Sequence, residues 1–176
     1  MKKPTEPRRV YWDSAAFIAY LQDEDGRVDK CVDVLDAAER EEILICTSAL
    51  TLAEVVRGRN LPLIPASGAQ QVSDLFAMPF LEVFGLDRVL AEQARSLCWK
   101  YGTRLHGNDA IHVATANEAR VTEFHSFNGK LNKLLEIQDD LTFEVCEPRV
   151  QNRVLPFGRP KGPEVRRVDQ PPMGEE

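Results

Sequence analysis

Residues 10–21, VYWDSAAFIAYL, contain the change of pattern that decides the fold class. The short apolar run at residues 10–12 is typical of a buried strand, and it stops at the acidic residue Asp13. Apolar residues then recur three and four positions apart over residues 14–22, which is the spacing of a helix. A strand that leads directly into a helix, with a carboxylate at the junction, predicts the first unit of an α/β protein.

The same alternation of strand and helix continues along the chain. Strand-like runs follow at residues 42–49, 80–86, 121–127 and 141–147. Helical spacing covers residues 29–42, 49–58, 70–78, 88–102 and 129–137, and another helix opens at Asn108 or Asp109. We therefore predict a three-layer α/β/α sandwich around a mostly parallel sheet of about five strands. In such sheets the functional site lies at the carboxyl ends of the strands.

Length and composition indicate one globular domain followed by a tail. The chain has 176 residues, of which 43% are hydrophobic, and this suits a single domain with a substantial core. We place the domain at residues 1–147. Residues 148–176 are rich in proline and arginine, and we expect them to form a flexible or docked tail.

Charge, cysteine content and hydropathy narrow the class of protein. The net charge of −6 gives no overall basic footprint of a nucleic-acid binder, although a local basic rim would be hidden in that sum. The four cysteines have no metal-ligand spacing and are predicted to be buried thiols of a reducing compartment. The chain has neither the apolar run of a signal peptide nor one that would span a bilayer, so we expect a cytoplasmic protein without membrane contact.

Three acidic residues stand apart from the solvated charge runs. Asp13 ends the first strand, Glu54 lies within an apolar helix, and Asp109 opens a helix of small residues. Each also has a structural explanation: a cap for Asp13, an ion pair with Arg57 for Glu54, and the helix dipole for Asp109. The predicted order of elements would nevertheless bring all three to one end of the sheet.

Clustered carboxylates raise one another's pKa and destabilise the fold unless a cation lies between them. Mg²⁺ is suited to this role because it prefers oxygen ligands and needs only one or two carboxylates directly. Such ions activate water and neutralise the charge that develops on a phosphate during in-line displacement. The pattern therefore predicts a metal site for an anionic phosphate substrate.

Three segments together resemble the PIN domain, and most closely the compact VapC-like toxins of toxin–antitoxin pairs. They are VYWDSAAFIAYL at residues 10–21, TSALTLAEVVRG at residues 47–58 and NDAIHVATANEARVTEFHSFNGKL at residues 108–131. The resemblance covers residues 10–146, and the order of the segments agrees with the predicted strands and helices. It implies a ribonuclease that depends on Mg²⁺ or Mn²⁺.

The resemblance also implies roles for individual residues. The metal-binding and catalytic acids of the family fall on Asp13, Glu54 and Asp109, and Ser14 matches the hydroxyl residue that often follows the first aspartate. Family members commonly carry a further acid after the fourth strand, where this chain has Asn128. Asparagine keeps an oxygen acceptor but lacks the charge, which would weaken binding of a second ion.

Neighbouring polar residues, including Ser14 and Ser126, are candidates for substrate contacts. Ser126 or Asn128 would place the water that attacks phosphorus in the proposed hydrolysis. His112 would donate to a phosphate or to Asp109, with a purely structural role as the alternative. Arg104 precedes the third segment and would hold an RNA phosphate through two parallel hydrogen bonds.

We therefore expect an endoribonuclease that hydrolyses RNA phosphodiester bonds, with transfer or ribosomal RNA among its substrates. The resemblance further implies the toxin of a type II pair, a small antitoxin as partner, and a homodimer. The alternative is a catalytically weakened PIN-like module that binds RNA or protein, and the missing fourth acid motivates it. A phosphatase of the haloacid dehalogenase type is disfavoured because Ala15 occupies the position where that class needs a second aspartate.

Overall fold

The structure, a computed structural model, describes residues 6–57, 62–136 and 141–150. One parallel sheet contains the strands β1 (Arg8–Trp12), β2 (Ile43–Ser48), β3 (Leu81–Phe84), β4 (Glu123–His125) and β5 (Glu144–Cys146). The helices are α1 (Ser14–Leu21), α2 (Val28–Glu39), α3 (Ala49–Glu54), α4 (Ala69–Phe76), α5 (Arg88–Tyr101), α6 (Gly107–Glu118) and α7 (Gly129–Leu135). The predicted α/β class with about five strands is confirmed, and every strand pair is parallel.

The strand order β3-β2-β1-β4-β5 places β1 at the centre of the sheet. From β1 the chain builds one half of the sheet through β2 and β3, and it then returns to add β4 and β5 on the other side. The register pairs Trp12 of β1 with His125 of β4, so Asp13 and Ser126 follow two neighbouring strand ends. This reversal is a topological switch point, and crevices that bind ligands form at the carboxyl ends of such strands.

Alternating side chains of the central strands face two helical layers, because successive residues of a strand point to opposite sides. Tyr11 and Phe124 pack with α5, α6 and α7, and their rings stack with centroids 5.0 Å apart. Val10 and Trp12 face the opposite side, where they pack with α1, α2 and α4. The two apolar layers fix the sheet, and this fixes the positions of the loops at its carboxyl edge.

Some elements are shorter than their sequence patterns predict. The fourth and fifth strands span Glu123–His125 and Glu144–Cys146, because buried residues such as Val121 and Phe143 lie outside the hydrogen-bonded ladder. Helix α3 ends at Glu54, four residues before the predicted stop at Gly58, which lies outside the described residues. Apolar periodicity reports burial rather than backbone pairing, and it therefore overruns the ends of elements.

The cysteine and membrane predictions can be compared with the described residues. All four cysteines are free thiols, with Cys31 and Cys46 fully buried and Cys98 and Cys146 partly buried. Among the helices described, none has the length and apolar character that crossing a bilayer requires. The predicted tail from residue 148 lies outside the described residues from residue 151 onward, so the division at residue 147 stays a prediction.

Candidate active site

Asp13 joins the central strand to α1 and serves both as a cap and as a member of the site. Its Oδ1 accepts a hydrogen bond from the backbone N–H of Ala16 at 3.1 Å, which caps α1. Its Oδ2 accepts a hydrogen bond from the hydroxyl of Ser126, the residue that follows β4. Only 5% of Asp13 is exposed. The cap therefore uses Oδ1, and Oδ2 is bound by Ser126.

Glu54 reaches the same region from the last residue of α3. Ser48 caps this helix, because its hydroxyl accepts from the N–H of Leu50, and the helix contacts both α1 and α6. Glu54 Oε1 accepts from Asn108 Nδ2 at 2.8 Å, and Oε2 lies 2.8 Å from His112 Nε2. Since an ionised carboxylate can only accept, Nε2 carries the hydrogen in this contact.

The pKa of Glu54 shows that its charged form is stabilised. Burial acts to raise this pKa, but the hydrogen bond and charge of His112, with hydrogen bonds from Ser14 and Asn108, leave it below its usual value. Ser14 thus favours the ionised form of Glu54, and its contact with substrate stays a prediction. The carboxylate of Glu54 is held in place on both of its oxygens.

His112 is buried between two elements of the site rather than facing solvent. Only 3% of its side chain is exposed, and Nδ1 lies 2.8 Å from the hydroxyl of Tyr11 on β1. Burial raises the pKa of Tyr11, and the charge of Asp13 raises it further, so Tyr11 stays a neutral phenol. The sequence predicted a donor to phosphate or to Asp109, but the structure directs Nε2 to Glu54.

Asp109 lies in the first turn of α6, one turn before His112, and is partly buried. Burial raises the pKa of Asp109, and the charge of Glu54 adds to this, while His112 and His106 oppose it. Burial likewise raises the pKa of Asp13, with His112 opposing and Asp109 adding to the rise. Asp109 is therefore within electrostatic reach of both Asp13 and Glu54, and His112 acts on all three carboxylates.

The donor set fits a hard divalent cation. It consists of carboxylate oxygens, which Mg²⁺ and Mn²⁺ prefer over the nitrogen and sulfur ligands of softer metals. Asp13 and Asp109 both have a raised pKa, caused mainly by burial and partly by neighbouring negative charge. A cation beside them would remove that cost and favour their ionised forms.

Asn128 and Ser126 are placed by local backbone geometry. The Oδ1 of Asn128 accepts from the N–H of Leu131 at 3.3 Å and caps α7. The backbone N–H of Asn128 donates to the Ser126 hydroxyl at 2.9 Å, and that hydroxyl donates in turn to Asp13. Ser126 is thus an orienting group for Asp13, and Asn128 connects to the site through Ser126.

Other contacts of the site were absent from the sequence-based set. The sequence assigned Asn108 only as a helix start and Tyr11 only as part of a strand. In the structure Asn108 binds Glu54, and Tyr11 binds His112. Asn108 and His112 are four residues apart and share one face of α6, a spacing that could have identified a common partner. Arg104 is exposed on the 3-10 turn before α6.

A second group of possible ligands lies beneath the sheet edge, at Glu123, His125 and Cys146, whose ligand atoms lie within 4.8 Å of one another. This group is a poor metal site. Trp12 Nε1 donates to His125 Nδ1 at 3.2 Å, and burial lowers the pKa of His125. The neutral ring must then carry its hydrogen on Nε2, which faces Glu123 at 3.6 Å, and it has no lone pair for a cation there.

Comparison with known proteins agrees with this fold. The family model of the PIN domain matches residues 10–136. The sarcin–ricin loop cleaving toxin VapC20 of Mycobacterium tuberculosis superposes with a TM-score of 0.57 at 16% identity, over 70% of this chain and 93% of that chain. VapBC2 of Rickettsia felis, bound to promoter DNA, gives a TM-score of 0.56 at 15% identity, over 79% and 98% of the chains.

A toxin–antitoxin complex from Klebsiella pneumoniae is similar to this chain with a TM-score of 0.54 and 21% identity. That match covers 80% of this chain and 99% of the other, so the shared region is a whole domain of the relative. No functionally curated protein is detectably similar in sequence. At these identities the structures establish a shared fold.

Proposed function

Because the chain belongs to the PIN domain family, we propose that it is a metal-dependent endoribonuclease and the toxin of a type II toxin–antitoxin pair. The observations that support this proposal are the position of Asp13 directly after the central strand at the switch point, and the charge effects of Asp109 on Asp13 and of Glu54 on Asp109. Similarity to an RNA-cleaving toxin and to toxin–antitoxin complexes supports it.

Asp13 and Asp109 would hold Mg²⁺ or Mn²⁺, with Glu54 as the third carboxylate. When bound, the cation would supply acidified water and neutralise charge on the scissile phosphate. His112 and Asn108 keep Glu54 ionised and oriented. Ser126 orients Asp13 by donating to its Oδ2. The carboxylates of Glu54 and Asp13 are therefore oriented before substrate binds.

The proposed partners are an RNA substrate, with transfer or ribosomal RNA as the first to test, a small antitoxin and a second copy of the chain. Apolar side chains beside the site support an antitoxin surface. Leu52 and Val56 on and just after α3 are 47% and 49% exposed, and Glu54 lies between them in sequence. Since the substrate would be cellular RNA, we place the activity in the cytoplasm.

Incubation of the purified chain with transfer and ribosomal RNA, with Mn²⁺ or with a chelator, tests the proposal. We expect discrete cleavage sites in end-mapped products only when Mn²⁺ is present. Equal product in chelator would contradict a metal-dependent mechanism. Intact RNA under both conditions would favour the weakened binding module instead.

The position of Asn128 separates a nuclease from a binding module. We expect Asn128→Asp to keep or raise the cleavage rate by a few-fold, because the new charge would add a ligand near Asp13. Aspartate and asparagine cap helices about equally well, so the melting temperature should change little. The measurement is cleavage against Mn²⁺ concentration for both proteins. If the protein is a pure binding module, neither the wild type nor Asn128→Asp would cleave RNA at any Mn²⁺ concentration.

His112 is expected to act by positioning Glu54. His112→Leu should lower cleavage by about 10- to 100-fold, the usual effect of losing a group that orients a metal ligand. His112→Gln should recover most of that loss, because the glutamine amide can place an N–H donor where Nε2 now lies. Equal loss in both variants, at equal helix content and melting temperature, would contradict the positioning role.

A further inference from the structure

Trp99 is the most exposed of the large hydrophobic side chains described, at 74%. It lies near the end of α5, whose other face packs Leu90, Ala94 and Tyr101 into the core. An indole left in water at this position contributes nothing to the fold through burial. One exposed side chain is common on protein surfaces, so the case for a binding site depends on the groups beside this indole.

A guanidinium accompanies this indole. Arg95 lies four residues before Trp99, on the same face of α5, and its Cζ lies over the indole ring at 5.2 Å from the centroid. Aromatic rings beside cations form the platforms on which proteins stack the bases of single-stranded nucleic acids, while the cations contact the phosphates.

The surrounding charge favours an anionic partner. The chain has 28 acidic residues and a net charge of −6, yet residues 93–108 contain none. The same stretch carries Arg95, Lys100 and Arg104, and Arg104 is exposed on the 3-10 turn. This cationic segment leads directly into α6, where Asp109 belongs to the candidate active site.

From this arrangement we infer that Trp99, with Arg95, Lys100 and Arg104, forms a binding surface for single-stranded RNA. A base stacks on the indole, and the cations contact phosphates along a path toward Asp109. The inference rests on the proposed function, because the RNA bound there is the substrate of the neighbouring site. On this inference, the Trp99 surface provides the affinity for substrate, and the carboxylates carry out the chemistry.

Binding can be measured apart from cleavage, with the full chain in chelator and a short fluorescein-labelled single-stranded RNA followed by anisotropy. We expect Trp99→Ala to raise Kd about tenfold, as for the loss of one stacked base, and Trp99→Phe to raise it less. Val89→Ala is the matched control, because Val89 is 61% exposed at the other end of α5. Its Kd should match that of the wild type.

Tryptophan fluorescence gives a second readout, since the chain has two tryptophans and Trp12 is fully buried. RNA should protect the emission of Trp99 from acrylamide, and Trp99→Phe should remove this effect. An unchanged Kd in Trp99→Ala, or emission that RNA leaves unprotected, would overturn the inference. Kd is compared at concentrations where sedimentation shows equal oligomeric states. A dimer lost in Trp99→Ala at unchanged Kd would assign the surface to a second copy of the chain.

The two proposals can fail separately. Cleavage with Mn²⁺ that has the same KM in wild type and Trp99→Ala would overturn the RNA surface and leave the nuclease proposal standing. Binding that depends on Trp99, without cleavage by the wild type in Mn²⁺, would overturn the nuclease proposal and leave the RNA surface standing.

Discussion

Replacement of Asp109 by asparagine is expected to reduce RNA cleavage by about 100-fold or more, because a bound cation contributes several kcal/mol to the transition state. Asparagine keeps the shape of the side chain but removes the charge that would hold the ion. The measurement is the initial rate of cleavage at saturating Mn²⁺. We expect the loss to appear in kcat, since the proposed function gives this residue a role in the chemical step and none in binding RNA.

The fold should tolerate this substitution. Burial and the charge of Glu54 raise the pKa of Asp109, so its charge is unfavourable in the folded state without a cation. Loss of the helix-dipole interaction would cost at most about 2 kcal/mol. Asp25→Asn is the matched control, because Asp25 is exposed in the turn before α2. Equal cleavage by the wild type and Asp109→Asn would remove Asp109 from the site.

Replacement of Glu123 by glutamine is expected to have the largest effect on stability. Glu123 is 1% exposed in the central part of the sheet, and two arginines bind its carboxylate. Arg8 Nη1 lies 3.1 Å from Oε2, and Arg149 Nε lies 3.0 Å from Oε1. Removing the buried charge should lower the free energy of unfolding by about 3 kcal/mol. This is the low end of the range for buried ion pairs, because both arginines are partly exposed. Urea unfolding measures this change.

Glu82→Gln is the matched control for this effect. Glu82 also pairs with an arginine of β1, with Arg9 Nη2 at 2.6 Å from Oε2, but both side chains are more than a third exposed. An exposed pair contributes about 0–1 kcal/mol, so this variant should unfold nearly as the wild type does. Equal losses in the two variants would contradict the importance of burial at Glu123.

The same carboxylate gives a pH dependence with a defined sign. Burial acts to raise the pKa of Glu123, but the proximity of His125, the hydrogen bond from Arg149 and the charge of Arg8 lower it to about 2 from 4.5. Its contribution is therefore complete above the unfolded pKa and is lost as the pH falls from about 4.5 toward about 2. As the pH falls through this range, the difference in the free energy of unfolding between the wild type and Glu123→Gln should shrink toward zero.

The sheet could be predicted because it depends on order along the chain, and the same order is the basis for predicting that the three acids share one edge of it. Parallel strands end at one edge, so residues directly after strands, such as Asp13, converge there whatever the details of packing. Asp109 follows the same logic, since α6 leads back to a central strand. The prediction for Glu54 depended only on α3 beginning at that edge, directly after β2.

The contacts that orient these acids could not be predicted, because they depend on packing between distant segments. The Tyr11–His112 hydrogen bond joins residues 101 positions apart, and the His112–Glu54 contact joins residues 58 positions apart. Neither has a local pattern. Glu123 did give a signal, since an acid in a buried strand needs a partner, but the sequence does not specify that Arg8 and Arg149 provide it.

Binding of Mn²⁺, followed by the loss of the free-ion signal in electron paramagnetic resonance, tests the central claim most directly. That claim is that Asp13, Glu54 and Asp109 together hold a divalent cation. We expect the wild type and Asp25→Asn to bind Mn²⁺ equally, and Asp109→Asn to bind it at least about tenfold more weakly. Equal binding by the wild type and Asp109→Asn, or no binding by the wild type, would contradict the account.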